Sequence, residues 1–383
     1  MTLEASLSES HLRIVDSGIL YANQYQGDWA INAYYPNIVE MGPGELLCVY
    51  RRGAAIYSDD GRIYQLRSTD DGRTWLDEGV VWDGKADARS YWYAPVGISR
   101  APDSQLVIAG FRIHRPTPAT PTCNEETGAC LSEESILIRS GDEGKSWLPP
   151  EVIQKPQGLV LEISSAVVFL EDGRWLLPFD ISKPYEDVTP LRPHVVALCS
   201  SDGGRSWSEP IRIAGGPGHE KTFWHSRVLK LRNGRLIAFP WTGDATAQRF
   251  LPIHRVVSDA KGRSWSEPES TGIQAQTNFP VDLGEGKMVL VYSVRESDHP
   301  GIYAALSFDE GRSWNLEDQV QLWDAYGKDS IGVARTSTYP ASHDNIAFGA
   351  PHAIRLKSGD IMASFWAAQS GQMVCWWRRL RVK

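Results

Sequence analysis

The sequence has no surplus of positive charge, no long apolar run, and no cysteine or histidine spacing suited to a metal. Its net charge is −8 and its basic residues are scattered, so neither nucleic acid nor an anionic membrane is an expected partner. No hydrophobic stretch approaches the length of a membrane span. The opening "MTLEASLSESHLR" lacks the basic and apolar regions of a secretory signal, giving the expectation of a cytoplasmic protein or of a processed, secreted form. The five cysteines are an odd number, and pairs such as His219 and His225 do not have metal-ligand spacing, so no metal or other cofactor is expected. Cys48, Cys199 and Cys375 sit in apolar runs and read as small core residues. Cys123 and Cys130 bracket a polar loop; the missing signal points to two free thiols, and an oxidising compartment would instead close a disulfide. No segment shows a helical period.

What the chain does have is repetition. With 42% hydrophobic and 22% charged residues it can bury a core, and 15 of its 383 residues are tryptophan. Five of those tryptophans close one phrase, S-x-D-x-G-x-x-W: "STDDGRTW" (68–75), "SGDEGKSW" (140–147), "SSDGGRSW" (200–207), "SDAKGRSW" (258–265, where Ala260 replaces the Asp) and "SFDEGRSW" (307–314). Spacings of this order suit a four-stranded blade better than a helical solenoid. A second repeat, a Gly or Ser followed by a polar residue and an apolar run, occurs six times, from "GELLCVY" (44–50) to "GDIMASF" (359–365). Each copy follows a short strand-like segment, and each of the first five precedes another strand that runs into the tryptophan turn. The expected fold is all-β, a single domain over residues 1–383 forming a six-bladed β-propeller. Its last blade would be closed by the N-terminal "HLRIVDSGILY", leaving no free sheet edge. The repeated turn is structural: its Asp and Ser bond turn amides, its Gly accepts a positive φ and its Trp packs between sheets.

Function is expected where the starts of the inner strands and the loops between second and third strands converge. Those positions carry Tyr34, Trp92, Glu162, Glu220, Trp224, His225, Asn345 and His352 on the inner-strand side. The facing loops carry Arg51, Arg52, Asp60, Arg112, Trp241, Arg249, Arg295 and Trp366. Indole and phenol faces suit sugar rings, carboxylates suit acid–base or nucleophilic work on glycosidic bonds, and arginines clamp carboxylates. An insertion at 114–134, "HRPTPATPTCNEETGACLSEE", would narrow the funnel if it folded over it.

The tryptophan turns resemble the Asp-boxes, or BNR repeats, of the sialidase superfamily, and the resemblance covers essentially the whole chain. "YYPNIVEMGPGELLCVYRR", followed by "SDDGRIYQLRSTDDGRTW", looks like a sialidase first blade, and "YSVRESDHPGIYAALSFDEGRSW" like the blade carrying the third family arginine, here Arg295. The resemblance implies Asp59 or Asp60 as acid/base, Glu220 as the blade-four glutamate and Arg249 as the second arginine. The chain departs from the pattern at Tyr34, where the family has an arginine, and near Ala350, where it has its catalytic tyrosine. Exo-acting arabinanases, on the same ring, resemble the chain in using two glutamates, which implies Glu162 and Glu220 as the pair. The expectation is an exo-acting glycoside hydrolase cleaving a terminal sugar; Arg51, Arg112 and Arg295 favour an acidic one, with a neutral pentose as the alternative. Two alternatives stand beside it: a polysaccharide or uronate-glycoside lyase with a base among His225, His299, His352 and Tyr91, and a binding propeller without chemistry.

Overall fold

The computed structural model describes residues 11–247, 249–327 and 347–383; Asn345 lies outside them. Among these residues every regular element is a β-strand, paired antiparallel, and the strands fall into six sectors. Blade one orders Asn32–Gly42, Glu45–Gly53, Arg62–Ser68 and Leu76–Val80 from the axis outward, and blades two and five repeat this plan from Trp92–Arg100 and Asn278–Gly284. In blade three the inner strand breaks into Val160–Ile163 and Val168–Phe169, both against Trp175–Ser182. Blade four divides into two smaller sheets, because its inner strand is interrupted after Trp224 and its second strand at Phe239–Pro240. Proline cannot donate to a ladder, so the second interruption falls where it must. Blade six takes Phe348–Arg355, Ile361–Gln369 and Gln372–Val382, and its fourth strand is the N-terminal Leu12–Tyr21, paired from Leu12↔Val382 to Tyr21↔Cys375.

The core is radial. Strand alternation sends neighbouring residues to opposite sides of a blade. Leu46, Cys48 and Tyr50 pack toward blade six with Met362, Trp366 and Trp377, whereas Leu47 and Val49 pack toward blade two with Ile98, Ile108 and Ile138. An apolar cluster of this kind fills the seam between each pair of neighbouring blades, including the seam between six and one that closes the ring.

The tryptophan turns behave alike. In the first, Ser68 Oγ donates to Asp70 (2.8 Å) and accepts from Gly72 N–H (2.8 Å), while Asp70 also takes the Thr74 amide (2.9 Å). Gly72 has φ 83°, and a Cβ there would press on Met362 of the neighbouring blade at 2.7 Å. The fourth turn, with Ala260, uses Asp259 instead, which accepts from the Lys261 and Gly262 amides at 3.1 Å. Its Trp265 indole N–H has no partner among the described residues, whereas Trp75, Trp207 and Trp314 each donate to the turn glycine carbonyl.

Candidate active site

At one level of the ring five of the six inner strands are irregular. Register shifts fall between Tyr34 and Asn37, Pro95 and Gly97, and Gly349 and His352; blades three and four break at Ser164 and at His225–Arg227, and blade five starts its strand at Asn278. A bulge re-aims the side chains it carries. These positions surround a central cavity of about 180 Å³, to which Tyr35, Val96, Ser164, His225, Arg227, Asn278 and Ala350 all contribute. The wall above is aromatic, with Trp92, Trp241, Trp366, Tyr57 and Phe111, and one side is covered by the blade-two insertion through Thr122, Cys123, Cys130, Leu131 and Glu133. Cys123 and Cys130 are bonded to each other.

Two carboxylates wall this cavity. Glu162 stands on the short blade-three strand, directly opposite Asp180 in register, so both side chains leave the same face. Burial, with the nearby Glu133 adding to it, pushes the Glu162 carboxyl up to about 7. Glu133 accepts from Ser135 Oγ (2.5 Å) and the Ile163 amide (2.7 Å) and lies 3.7 Å from Lys155 Nζ. Burial nevertheless raises the Glu133 carboxyl above the ordinary range, and burial lowers the Lys155 ammonium. Asp180 is 1% exposed and sits behind the wall; burial raises it to about 8. Its Oδ2 accepts the His225 amide at 2.8 Å and lies 3.4 Å from His225 Nδ1, fixing an imidazole that stacks on Trp241.

Positive charge enters from two blades. Arg227 donates to the carbonyls of Ser164 (2.5 Å) and Val96 (3.2 Å), tying blades two, three and four together across the channel. Arg295 donates to Phe348 O (3.3 Å), and a Cβ on Gly349 would meet its Nη2 at 2.4 Å, so glycine at 349 makes room for the guanidinium. Burial lowers both to about 10, which leaves them cationic at neutral pH. Tyr35 and Tyr57 share a hydrogen bond within reach of Arg51 and Arg295, and burial raises both phenols, so they stay protonated.

Of the residues expected from sequence, Glu162, Trp92, His225, Trp241, Arg295 and Trp366 line the cavity. The others do not. Glu220 is exposed beside a separate outer depression with His219, Lys221 and Glu267, because the inward bulge comes five residues later. Asp60 turns back to cap Ala54 N–H at 3.0 and 3.1 Å. Arg51 is fully buried one layer out, bonded to the carbonyls of Ala55 (2.6 Å) and Ser58 (2.8 Å) and flanked by Tyr34 and Trp92, so it braces the turn that presents Tyr57. Arg52 pairs with Asp77 and Arg112 with Asp87 and Glu134. Tyr34 packs edge-on to Trp366, and Trp224 packs on Trp241. Arg249 is exposed on an outer strand opposite Asp244. His352 lies buried outside the cavity wall, where its Nδ1 accepts the Ile38 amide at 3.3 Å and burial lowers it to about 3. Glu133, Lys155, Arg227 and Tyr57 were not anticipated. Their signal was a charged or phenolic residue immediately beside a predicted strand start or inside a tight loop.

The profile of the BNR repeat-like domain matches residues 120–345. No curated protein matches the sequence significantly. Among solved structures, a protein of unknown function from Dyadobacter fermentans superposes with a TM-score of 0.72 at 18% identity, over 97% of this chain and 100% of that one. A Hadza microbial sialidase gives a TM-score of 0.63 at 16% identity over 91% of this chain, which spans 65% of the sialidase. The α-L-arabinanase of Penicillium chrysogenum, solved with arabinobiose, gives 0.60 at 12% identity, over 95% and 98% of the two chains. At these identities the likeness establishes the shared fold.

Proposed function

Because the chain belongs to the BNR repeat-like domain family and walls one central cavity with coupled carboxylates, we propose that it is an exo-acting glycoside hydrolase releasing a terminal, acidic sugar. The observation that carries this reading is that Glu133 and Glu162 face the same cavity, where burial, with Glu133 adding to it, raises the Glu162 carboxyl to about 7. Glu162 is then the acid: about half of the molecules carry its proton at neutral pH, and it is delivered to the glycosidic oxygen as the bond to the anomeric carbon breaks. Glu133, held by Lys155, Ser135 and the Ile163 amide, is its anionic partner, either attacking the anomeric carbon or taking a proton from the attacking water. The three indoles provide faces for the sugar ring, and Arg227 and Arg295 oppose its carboxylate.

The test is a product screen on aryl glycosides and oligosaccharides with wild type, Glu162→Gln, Glu133→Gln and, as a control outside the cavity, Glu220→Gln. The two cavity variants are expected to lose at least about 100-fold in kcat on unactivated substrates, with Glu220→Gln close to wild type. Equal turnover by wild type and Glu162→Gln would discard the assignment. A second reading, a uronate-glycoside lyase, is favoured by the imidazole of His225 held by Asp180 in a cavity with two arginines. It predicts an unsaturated product absorbing in the ultraviolet, and no such product under hydrolysis.

A further inference from the structure

The loop between the N-terminal strand and blade one carries two aromatic side chains in the open: Tyr25 and Trp29 are each 66% exposed. Isolated exposed aromatics are ordinary, but these two are organised. The Trp29 amide donates to Tyr25 O (2.9 Å), an i→i+4 bond that closes a single helical turn, with Asp28 N–H bonding the same carbonyl (2.9 Å). Residues four apart on such a turn share one face, with their Cβ atoms about 5–6 Å apart. The turn is also fixed at its base. Asn23 Nδ2 donates to Trp29 O (2.6 Å), Asn23 Oδ1 accepts Tyr25 N–H (3.0 Å), and the Asn23 amide bonds Gln372 Oε1 (3.0 Å).

The loop opens on the cavity's side of the ring. It leads directly into the inner strand that starts at Asn32 and supplies Tyr35 to the cavity wall. Asn32 ties it to the Ala54 carbonyl (2.7 Å), beside the turn that supplies Ile56 and Tyr57. Six residues separate Trp29 from Tyr35, so at full extension they are within about 20 Å. The cavity itself, at about 180 Å³, is sized for one ring, since a cavity of about 150 Å³ holds a benzene. Anything attached to that ring must therefore leave through the mouth.

We propose that Tyr25 and Trp29 form a stacking platform for the leaving-group side of an extended carbohydrate, so that the substrate is the end of an oligosaccharide or polysaccharide and not a small glycoside. This rests on the glycosidase reading for its kinetic form, and a binding measurement tests it separately. The variants are Trp29→Ala, Tyr25→Ala and the conservative Trp29→Phe. Small probes are the 4-nitrophenyl glycosides of sialic acid, L-arabinofuranose and glucuronic acid; extended probes are 3′-sialyllactose, α-1,5-arabinohexaose and a glucuronate-terminated tetrasaccharide.

On whichever sugar is cleaved, Trp29→Ala is expected to lower kcat/KM for the extended probe roughly tenfold, the order of one aromatic stacking contact. It should leave the small glycoside unchanged, and Trp29→Phe should recover most of the loss. Equal effects on both probes, or none on either, would overturn the platform. Calorimetric binding of the extended probes gives the second readout. Weakened binding in Trp29→Ala without any turnover by wild type would uphold the platform while removing the hydrolase reading. Absence of binding to all of them by wild type would overturn the platform.

Discussion

Asp180→Asn isolates the buried carboxyl behind the cavity wall. Asp180 is 1% exposed, faces Glu162 across the blade-three ladder, and accepts the His225 amide. Burial raises its carboxyl to about 8 from an ordinary 3.8, although the His225 amide and Arg227 pull the other way. Below 3.8 the folded and unfolded chains both hold the proton. Between 3.8 and about 8 the unfolded chain releases it and the folded chain keeps it, so stability falls as pH rises through this window and levels off above it. The slope is about 1.4 kcal/mol per pH unit, or about 3 kcal/mol between pH 5 and pH 7.

Asparagine has the shape of the neutral acid, offers the same carbonyl to the His225 amide, and has no proton to lose. Its stability should lack this component of the slope. The assay is equilibrium urea unfolding of wild type and Asp180→Asn across pH 5 to 8, compared as the difference between the two proteins so that other titrating groups cancel. The gap between them is expected to move in favour of the variant by about 3 kcal/mol from pH 5 to pH 7. Parallel profiles would refute the claim that Asp180 is neutral in the folded protein. The same variant keeps the His225 amide bond and sets a neutral amide where a neutral acid stood beside Nδ1, so activity is expected to change little below about pH 8 and to differ from wild type above it.

Two further outcomes follow from the loops. Opening Cys123–Cys130 with Cys123→Ser or a reductant should destabilise the protein by about 2–3 kcal/mol on the loop-entropy model for so short a closure. Because both cysteines line the cavity, KM should rise more than kcat falls; unchanged KM for every substrate would show that the insertion does not shape the site. Ala260→Asp should restore the missing bonds of the fourth turn to the Ser264 amide and hydroxyl and raise the melting temperature. No rise would mean that Asp259 already satisfies the turn.

The ring was legible because its signals are local and repeated. The tryptophan turn recurs with the same Ser–Asp–Gly bonds, and the six Gly/Ser-led strands give the blade count without it. Closure by the N-terminal strand followed from a sixth blade one strand short, and the Lys383 amide bonding His11 O (2.9 Å) completes that pairing. The site was only half legible, for a reason of register. A strand one residue out of phase presents its other face, and at the cavity the inner strands of blades one, two and six are shifted while those of blades three and four are broken. Thus Tyr35 faces inward where Tyr34 was expected, and Arg227 does so beside the expected His225 where Glu220 was expected. Arg51 is consumed by the backbone of its own loop, a contact that residue type cannot reveal. Glu133 closes the cysteine loop, and nothing in its neighbourhood's composition separates it from Glu134, which pairs outward with Arg112.

The backbone at this level carries its own mark. Tyr35, His225 and Ala350 have φ of 55°, 45° and 44°, left-handed values that side-chain-bearing residues rarely adopt, and all three line the cavity on different blades. Each such residue costs on the order of 1–3 kcal/mol and persists only where the surroundings over-determine it. Here the surroundings are the radial apolar seams, which hold the strands on either side of each bulge regardless of what the bulge presents. Rigid seams therefore allow the ring to hold buried carboxylates and guanidiniums facing one another in a small volume, an arrangement that a more pliable scaffold would relax by rotating them into water. The position that carries a phenol in blade one and an imidazole in blade four carries only a methyl group at Ala350 in blade six, so the chemistry of the cavity is set by which blades spend that inward position on a reactive side chain.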